Sequence, residues 1–277
     1  MATTVTLNNG VEMPSLGFGV FQVSSEDTQA ALGEALRVGY RSIDTAAAYF
    51  NEEAVGRTLA ESGVARDELF VTTKLWVDDL GRDATLRAFD ASLERLGLDR
   101  LDLYLIHWPA PGKDLYVESW KALVELRESG RVRAVGVSNF QPDHLRRIVD
   151  ATGVVPAVNQ VELHPRLSQA GLRAVHAELG IVTEAWSPLA QGALLGEDAI
   201  ASIAAKHGRT PAQVVLRWHL QLGNVVIPKS VTPSRIAENF AVFDFELDAE
   251  DLDRIAGLET GERIGFDPDT FNGFGRE

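Results

Sequence analysis

The chain has 277 residues, 45% of them hydrophobic, with 26 Lys and Arg against 40 Asp and Glu for a formal net charge of −14. That balance argues against a nucleic-acid or anionic-membrane surface, and no apolar run approaches the roughly 20 residues of a membrane span. The absence of cysteine removes a disulfide framework, a thiolate metal site and a cysteine nucleophile. Met1 to Thr6 carries neither a charged n-region nor an apolar h-region, so no signal peptide and a cytoplasmic location are expected.

In chain order, Val5 to Pro14 holds Asn8-Asn9-Gly10 between two short apolar runs, the signal of a small hairpin. Leu16 to Val20 reads as a strand, and 26–38 as a helix that starts at Ser25-Glu26 and stops at Gly39. Strands at Ser42 to Asp44, Leu69 to Lys74 and Leu101 to His107 alternate with helical patterns at 52–62, 83–96 and 116–129. Further on come strands at Val132 to Val137, Ala157 to Val161, Ile181 to Trp186 and Val225 to Ile227. Their helices are 142–151, 169–179, 197–207 with 211–221, and 233–241, with Pro142 and Pro233 as helix openers. This alternation predicts an α/β fold with a parallel sheet closed into a single (β/α)8 barrel over 1–277. An open doubly wound sheet is the alternative. It would place a Gly-rich fingerprint after the first strand, and Gly17-Phe18-Gly19 lacks the third glycine and the helix start.

Barrel chemistry sits where the strands end. Asp44, Lys74 and His107 each close an apolar run, and Tyr49 follows the first of them by five residues. Alone, Tyr49 reads as a packing residue and His107 as a satisfied core histidine. A lysine at the end of a strand rich in Leu, Phe, Val and Thr is costly unless paired, and Asp44 is its natural partner. Together the four can deliver a proton: the Lys74 ammonium is expected to lower the phenol pKa of Tyr49, Asp44 to hold the lysine, and neutral His107 to orient a substrate oxygen. A Schiff-base role for Lys74 is a second reading. No metal constellation is visible, so the electron pair must come from a cofactor, most simply a hydride donor.

The remaining strand ends carry cofactor-type residues. Ser138-Asn139 and Asn159-Gln160 suit a carboxamide, and Trp186-Ser187 offer a flat stacking face. Pro228-Lys229-Ser230-Val231-Thr232 precede a helix bearing Arg235, Glu238 and Asn239, where barrels commonly hold a phosphate. From Ala199 to Ala237 there is no Asp or Glu, while Lys206, Arg209, Arg217, Lys229 and Arg235 are present. That points to a specific polyanion, or to chance around a buried helix. Phe21, Trp76 and Trp108 predict an aromatic-walled substrate pocket.

These motifs resemble the aldo-keto reductase family: Gly19-Val20-Phe21, Asp44-Thr45-Ala46 with Tyr49, Thr73-Lys74-Leu75-Trp76, Leu105-Ile106-His107-Trp108-Pro109, Gly136-Val137-Ser138-Asn139-Phe140, Asn159-Gln160 and Ile227-Pro228-Lys229-Ser230, in order. With Glu184-Ala185-Trp186-Ser187-Pro188-Leu189, the chain is most similar to bacterial 2,5-diketo-D-gluconate reductase-like members. The resemblance implies an NADPH-dependent reductase of aldehydes and ketones, with Tyr49 as general acid and Asp44, Lys74 and His107 completing a tetrad. It implies extended NADPH against Ser138, Asn139, Gln160, Trp186, Ser187, Leu189, Gln191 and Ile227, its 2′-phosphate near Lys229, Ser230 and Arg235. Sugar-derived ketones or small dicarbonyls are the expected substrates, and a monomer the expected state. An NADPH-binding regulatory barrel of the same superfamily is the other reading. Phe21 stands where many members carry Trp. The tail 261–277, with Phe266, Phe271 and Phe274, is expected to form a loop over the barrel mouth.

Overall fold

The computed structural model describes residues 3–274. Thr4–Thr6 (β1) and Glu12–Pro14 (β2) pair antiparallel, Val5 opposite Met13. Gly17–Gly19 (β3), Ser42–Asp44 (β4), Phe70–Leu75 (β5), Leu101–Ile106 (β6), Val132–Ser138 (β7), Val158–Glu162 (β8), Val182–Trp186 (β9) and Val225–Val226 (β10) follow. These last eight form one sheet of parallel neighbours in chain order, and a parallel bridge from Leu16 to Val226 joins its two ends into a barrel. Ser25–Val38 (α1), Glu52–Glu61 (α2), Arg82–Leu96 (α3), Tyr116–Glu128 (α4), Pro142–Thr152 (α5), Ala170–Leu179 (α6), Asp198–His207 (α7), Pro211–Gln221 (α8) and Pro233–Phe240 (α9) connect and follow the strands.

The expected elements are all present, with ends moved by a residue or two. One helix, Ala249–Ala256 (α10), was not expected. Its start is a capping box: Asp248 accepts from the Asp251 amide and Asp251 from the Asp248 amide. An Asp-rich stretch reads as loop until that reciprocity is seen.

Two apolar layers hold the molecule together. Large side chains such as Phe89, Trp120, Phe140 and Val215 fill the space between strands and helices. Inside the barrel, Phe70, Leu103, Leu105, Val158 and Val225 pack against Leu7 and Met13 of the N-terminal hairpin. The hairpin therefore plugs the end where the strands begin. Asn8 Nδ2 donates to the Pro156 carbonyl at 3.0 Å and Asn9 Nδ2 to the Arg133 carbonyl at 2.9 Å, fastening it there. With that end sealed, a ligand entering the barrel would do so where the strands finish. Among the described residues no helix is long and apolar enough to cross a membrane.

Candidate active site

Asp44 closes β4, Lys74 is the penultimate residue of β5, His107 follows β6, and Tyr49 ends a short turn, Ala47–Tyr49, beyond β4. Parallel register carries all four to the same end, with Asp44 level with Thr72 of β5 and Lys74 level with Leu105 of β6. Lys74 is fully buried and uses all three ammonium hydrogens: Nζ donates to Asp44 Oδ1 at 2.5 Å, to the Thr45 carbonyl at 3.0 Å and to Tyr49 Oη at 3.3 Å. Burial works against the charged lysine, but Asp44, helped by Tyr49 and Glu184, outweighs it and keeps Lys74 protonated above its ordinary range.

Tyr49 departs from expectation. Desolvation raises its pKa, and the lowering by Lys74 does not cancel that rise, to which Asp44 and Glu184 add. The phenol is more firmly neutral than a free tyrosine. The ring of His107 lies 5.6 Å from that of Tyr49, edge to face. Burial and then the Lys74 charge push the His107 pKa well below 6.5, so the imidazole is neutral. Its Nδ1 is buried without a partner, which leaves Nε2 as the nitrogen available at the mouth.

Beneath this group lies a second carboxyl that the sequence reading quoted only as part of a motif. Gln160 Nε2 donates to Asp44 Oδ2 and to Glu184 Oε2, both at 2.8 Å. Glu184 Oε1 is buried with no partner. One ammonium cannot neutralise two carboxylates in a sealed core. Burial, and then repulsion from Asp44, raise the Glu184 pKa to about 8. Strand periodicity could have flagged it, since Glu184 lies two residues before Trp186 and so shares its face.

The other expected residues gather around the mouth. Ser138 Oγ donates to the Gln160 carbonyl at 2.7 Å, and Asn139, at a left-handed φ of 63°, donates to the His107 carbonyl at 3.0 Å. Trp186 Nε1 donates to Asn139 Oδ1 at 2.9 Å, fixing a half-buried indole beside them. In the loop beyond, Ser187, Ala190 and Gln191 also have positive φ, Leu189 is half-buried and Gln191 exposed. Ile227 and Pro228 are buried, Ser230 half-buried, and Lys229, Val231, Thr232 and Arg235 exposed. Glu238 Oε1 is engaged by Thr210 Oγ1 at 2.8 Å, and Asn239 is buried.

The acid-free segment resolves into two groups. Lys206 pairs with Asp248 and Asp251, Arg209 with Asp244, and Arg217 with Glu246. Acids supplied by 244–251 thus neutralise three of the basic residues. Among the described residues Lys229 and Arg235 form no salt bridge, and both flank the start of α9.

Aromatic rings wall the mouth. Phe21 packs on Tyr49 at 5.0 Å and Trp76 on His107 at 5.2 Å. From the tail, Phe271 tilts onto Trp108 at 4.7 Å, and Phe274 lies nearly parallel to Trp76 at 5.9 Å. Residues 275–277 of the expected loop lie outside the described residues.

The profile described as the aldo/keto reductase family matches residues 15–260. An aldo-keto reductase of Mycolicibacterium smegmatis is 60% identical over 272 residues, which is 98% of this chain and 99% of that protein. The methylglyoxal reductase DkgA of Escherichia coli K12 is 55% identical over 273 residues, 98% of either chain. A solved mutant of Gox0644 in complex with NADPH superposes with a TM-score of 0.95 at 51% identity, covering 98% of this chain and 99% of that one.

Proposed function

The chain belongs to the aldo/keto reductase family, and from that premise we propose that it reduces small dicarbonyls and sugar-derived ketones to alcohols, with NADPH as hydride donor and Tyr49 as proton donor. The observation that carries this reading is the buried Asp44–Lys74 pair reaching the half-buried Tyr49 hydroxyl beside a neutral His107. The small-dicarbonyl class is supported by DkgA, a methylglyoxal reductase, and the cofactor by Gox0644, solved with NADPH.

The residues present fit that cofactor. Lys229 and Arg235 are exposed cations at a helix start and free of acidic partners among the described residues, as a 2′-phosphate requires. Trp186 offers a fixed flat face, and Ser138, Asn139 and Gln160 supply polar groups for a carboxamide. Bound there, NADPH supplies a hydride for the carbonyl carbon. The protein's share is to manage the oxygen. His107 donates from Nε2 and orients it while remaining neutral. As the oxygen gains negative charge, Tyr49 Oη gives up its proton to it, and the alcohol forms. The phenolate left behind is stabilised by the Lys74 ammonium 3.3 Å away, which Asp44 keeps in place. A raised phenol pKa suits this order: the proton stays on Tyr49 until a much stronger base, the developing alkoxide, appears.

Lys74 is a poor amine nucleophile because it is charged and all its hydrogens are engaged, which counts against Schiff-base chemistry. The reading is tested with a carbonyl panel that includes methylglyoxal and 2,5-diketo-D-gluconate, followed by loss of NADPH absorbance. Turnover of the small dicarbonyls is expected. NADPH binding without turnover of any carbonyl would favour a regulatory barrel instead.

A further inference from the structure

Glu162, the last residue of β8, is completely buried and lies level with Trp186 of β9. Its carboxylate serves the C-terminal tail. Oε1 accepts from the Ile264 amide at 2.6 Å and from His164 Nε2 at 3.0 Å, while Oε2 accepts from the Gly265 amide at 2.8 Å. Arg263 Nη1 stands 3.8 Å from Oε2. A buried carboxylate is tolerable only when hydrogen-bonded, and two of its three hydrogen bonds depend on the tail being seated. His164 and the two tail amides overcome burial and hold its pKa below the ordinary carboxylate value.

Gly265 shows how close the seat is. A Cβ there would fall 2.5 Å from Trp186 Cη2 and 3.0 Å from Glu162 Oε2. The tail backbone is therefore wedged between the carboxylate and the edge of the indole. The next residues set the roof of the mouth. Phe266 stacks on Phe271 at 4.6 Å, Phe271 lies against Trp108, and Phe274 faces Trp76. Of these three rings only Phe271 is buried; Phe266 is 51% exposed and Phe274 66%. Farther along, the Gly112 amide donates to Asn272 Oδ1 at 2.6 Å. Phe271 and Asn272 hold the far part of the tail, and Glu162 is the buried charge that seats Ile264 and Gly265 ahead of it.

We propose that Glu162 is a positioning residue for carbonyl specificity: it seats the aromatic tail from outside the pocket, and a flat ring lying on Trp186 tightens that seat through Gly265. The second clause rests on Trp186 as the cofactor's stacking face; the first does not. A ring stacked on Trp186 restricts the indole, so the wedge that Gly265 occupies is preorganised and the roof settles more firmly once the cofactor is in place.

The test is cleavage of the folded protein by chymotrypsin after Phe266, Phe271 and Phe274, read by mass spectrometry with no turnover required. Glu162→Gln turns one acceptor into a donor and strands one tail amide. Gly265→Ala leaves the carboxylate intact but fills the wedge, so it answers the question even if the buried substitution fails to fold. Both variants are expected to lose the tail at least about tenfold faster than wild type, the ratio for one lost contact of about 1.4 kcal/mol. NADPH should slow wild-type cleavage several-fold and Gly265→Ala hardly at all. In turnover, kcat/KM for methylglyoxal relative to a bulkier ketose should shift several-fold in Gly265→Ala, chiefly through KM. Equal cleavage of all three proteins without nucleotide would overturn the anchor. Faster cleavage with no NADPH effect would overturn the link to Trp186 and keep the anchor. If wild type reduces no carbonyl, the functional reading fails, while the nucleotide-free cleavage rates still decide the role of Glu162.

Discussion

Where the strands begin, Asp102 of β6 is buried but fully served: Arg133 Nη1 lies 2.9 Å from Oδ1, and Arg66 Nη2 (2.7 Å) and the Val71 amide (2.9 Å) approach Oδ2. The hairpin covers the rest with Leu7 and Met13. Where the strands finish, Asp44 holds the Lys74 ammonium and shares the Gln160 amide with Glu184, Glu184 Oε1 and His107 Nδ1 have no partner, and several loop residues take left-handed backbone. Both ends bury charge. At the closed end Asp102 is met on both oxygens, whereas at the mouth Glu184 is buried beside Asp44 with one oxygen unpartnered. At the mouth, unsatisfied polar groups and displaced proton affinities are the price of a site that must accept a ligand and move a proton.

This contrast should be breakable from either side. The largest effect is expected for Lys74→Met, which leaves Asp44 buried without its cation and should cost about 3–5 kcal/mol in denaturant unfolding. Adding Asp44→Asn should recover most of that loss; no recovery would mean that lysine packing, not charge pairing, carries the cost. Met13→Ala at the plug removes a fully buried side chain and should cost about 2–5 kcal/mol. Turnover per folded molecule should survive it, and a matching fall in kcat would show that the two ends are not separable. Arg235→Ala should leave stability alone and raise the NADPH dissociation constant roughly 10- to 150-fold, the equivalent of about 1.5–3 kcal/mol for a charge-assisted contact. NADH binding should hardly change, and equal weakening of both nucleotides would place Arg235 outside a 2′-phosphate site.

A pH-dependent effect is expected at Glu184. An unfolded glutamate releases its proton near 4.5, whereas the folded one keeps it to about 8. Between those values the folded state binds more protons, so this residue lowers stability as pH rises through the window. Glu184→Gln lacks that penalty, and its Tm relative to wild type should climb from pH 5 to pH 8. A gap independent of pH would contradict a proton held on Glu184.

Much of this was readable from residue order because the polar residues that end apolar runs are costly there, and cost marks them. Asp44, Lys74 and His107 could be found that way. The barrel followed from strict alternation, and the hairpin from Asn8-Asn9-Gly10. Other features depend on three-dimensional neighbours. Glu162 and Glu184 look like surface acids until β8 and β9 turn them inward. The helix Ala249–Ala256 depends on the reciprocal cap of Asp248 and Asp251. The direction of the Tyr49 shift depends on how much water the fold removes, and no spacing reports that.

The most direct test of the proton-transfer account is Tyr49→Phe, which keeps the ring and removes only the hydroxyl. Single-turnover reduction of methylglyoxal should fall by about 10²–10⁴-fold, while NADPH still quenches the Trp186 fluorescence with an unchanged dissociation constant. Reduction at close to the wild-type rate by this variant, with the nucleotide bound, would show that the proton reaches the oxygen from another group.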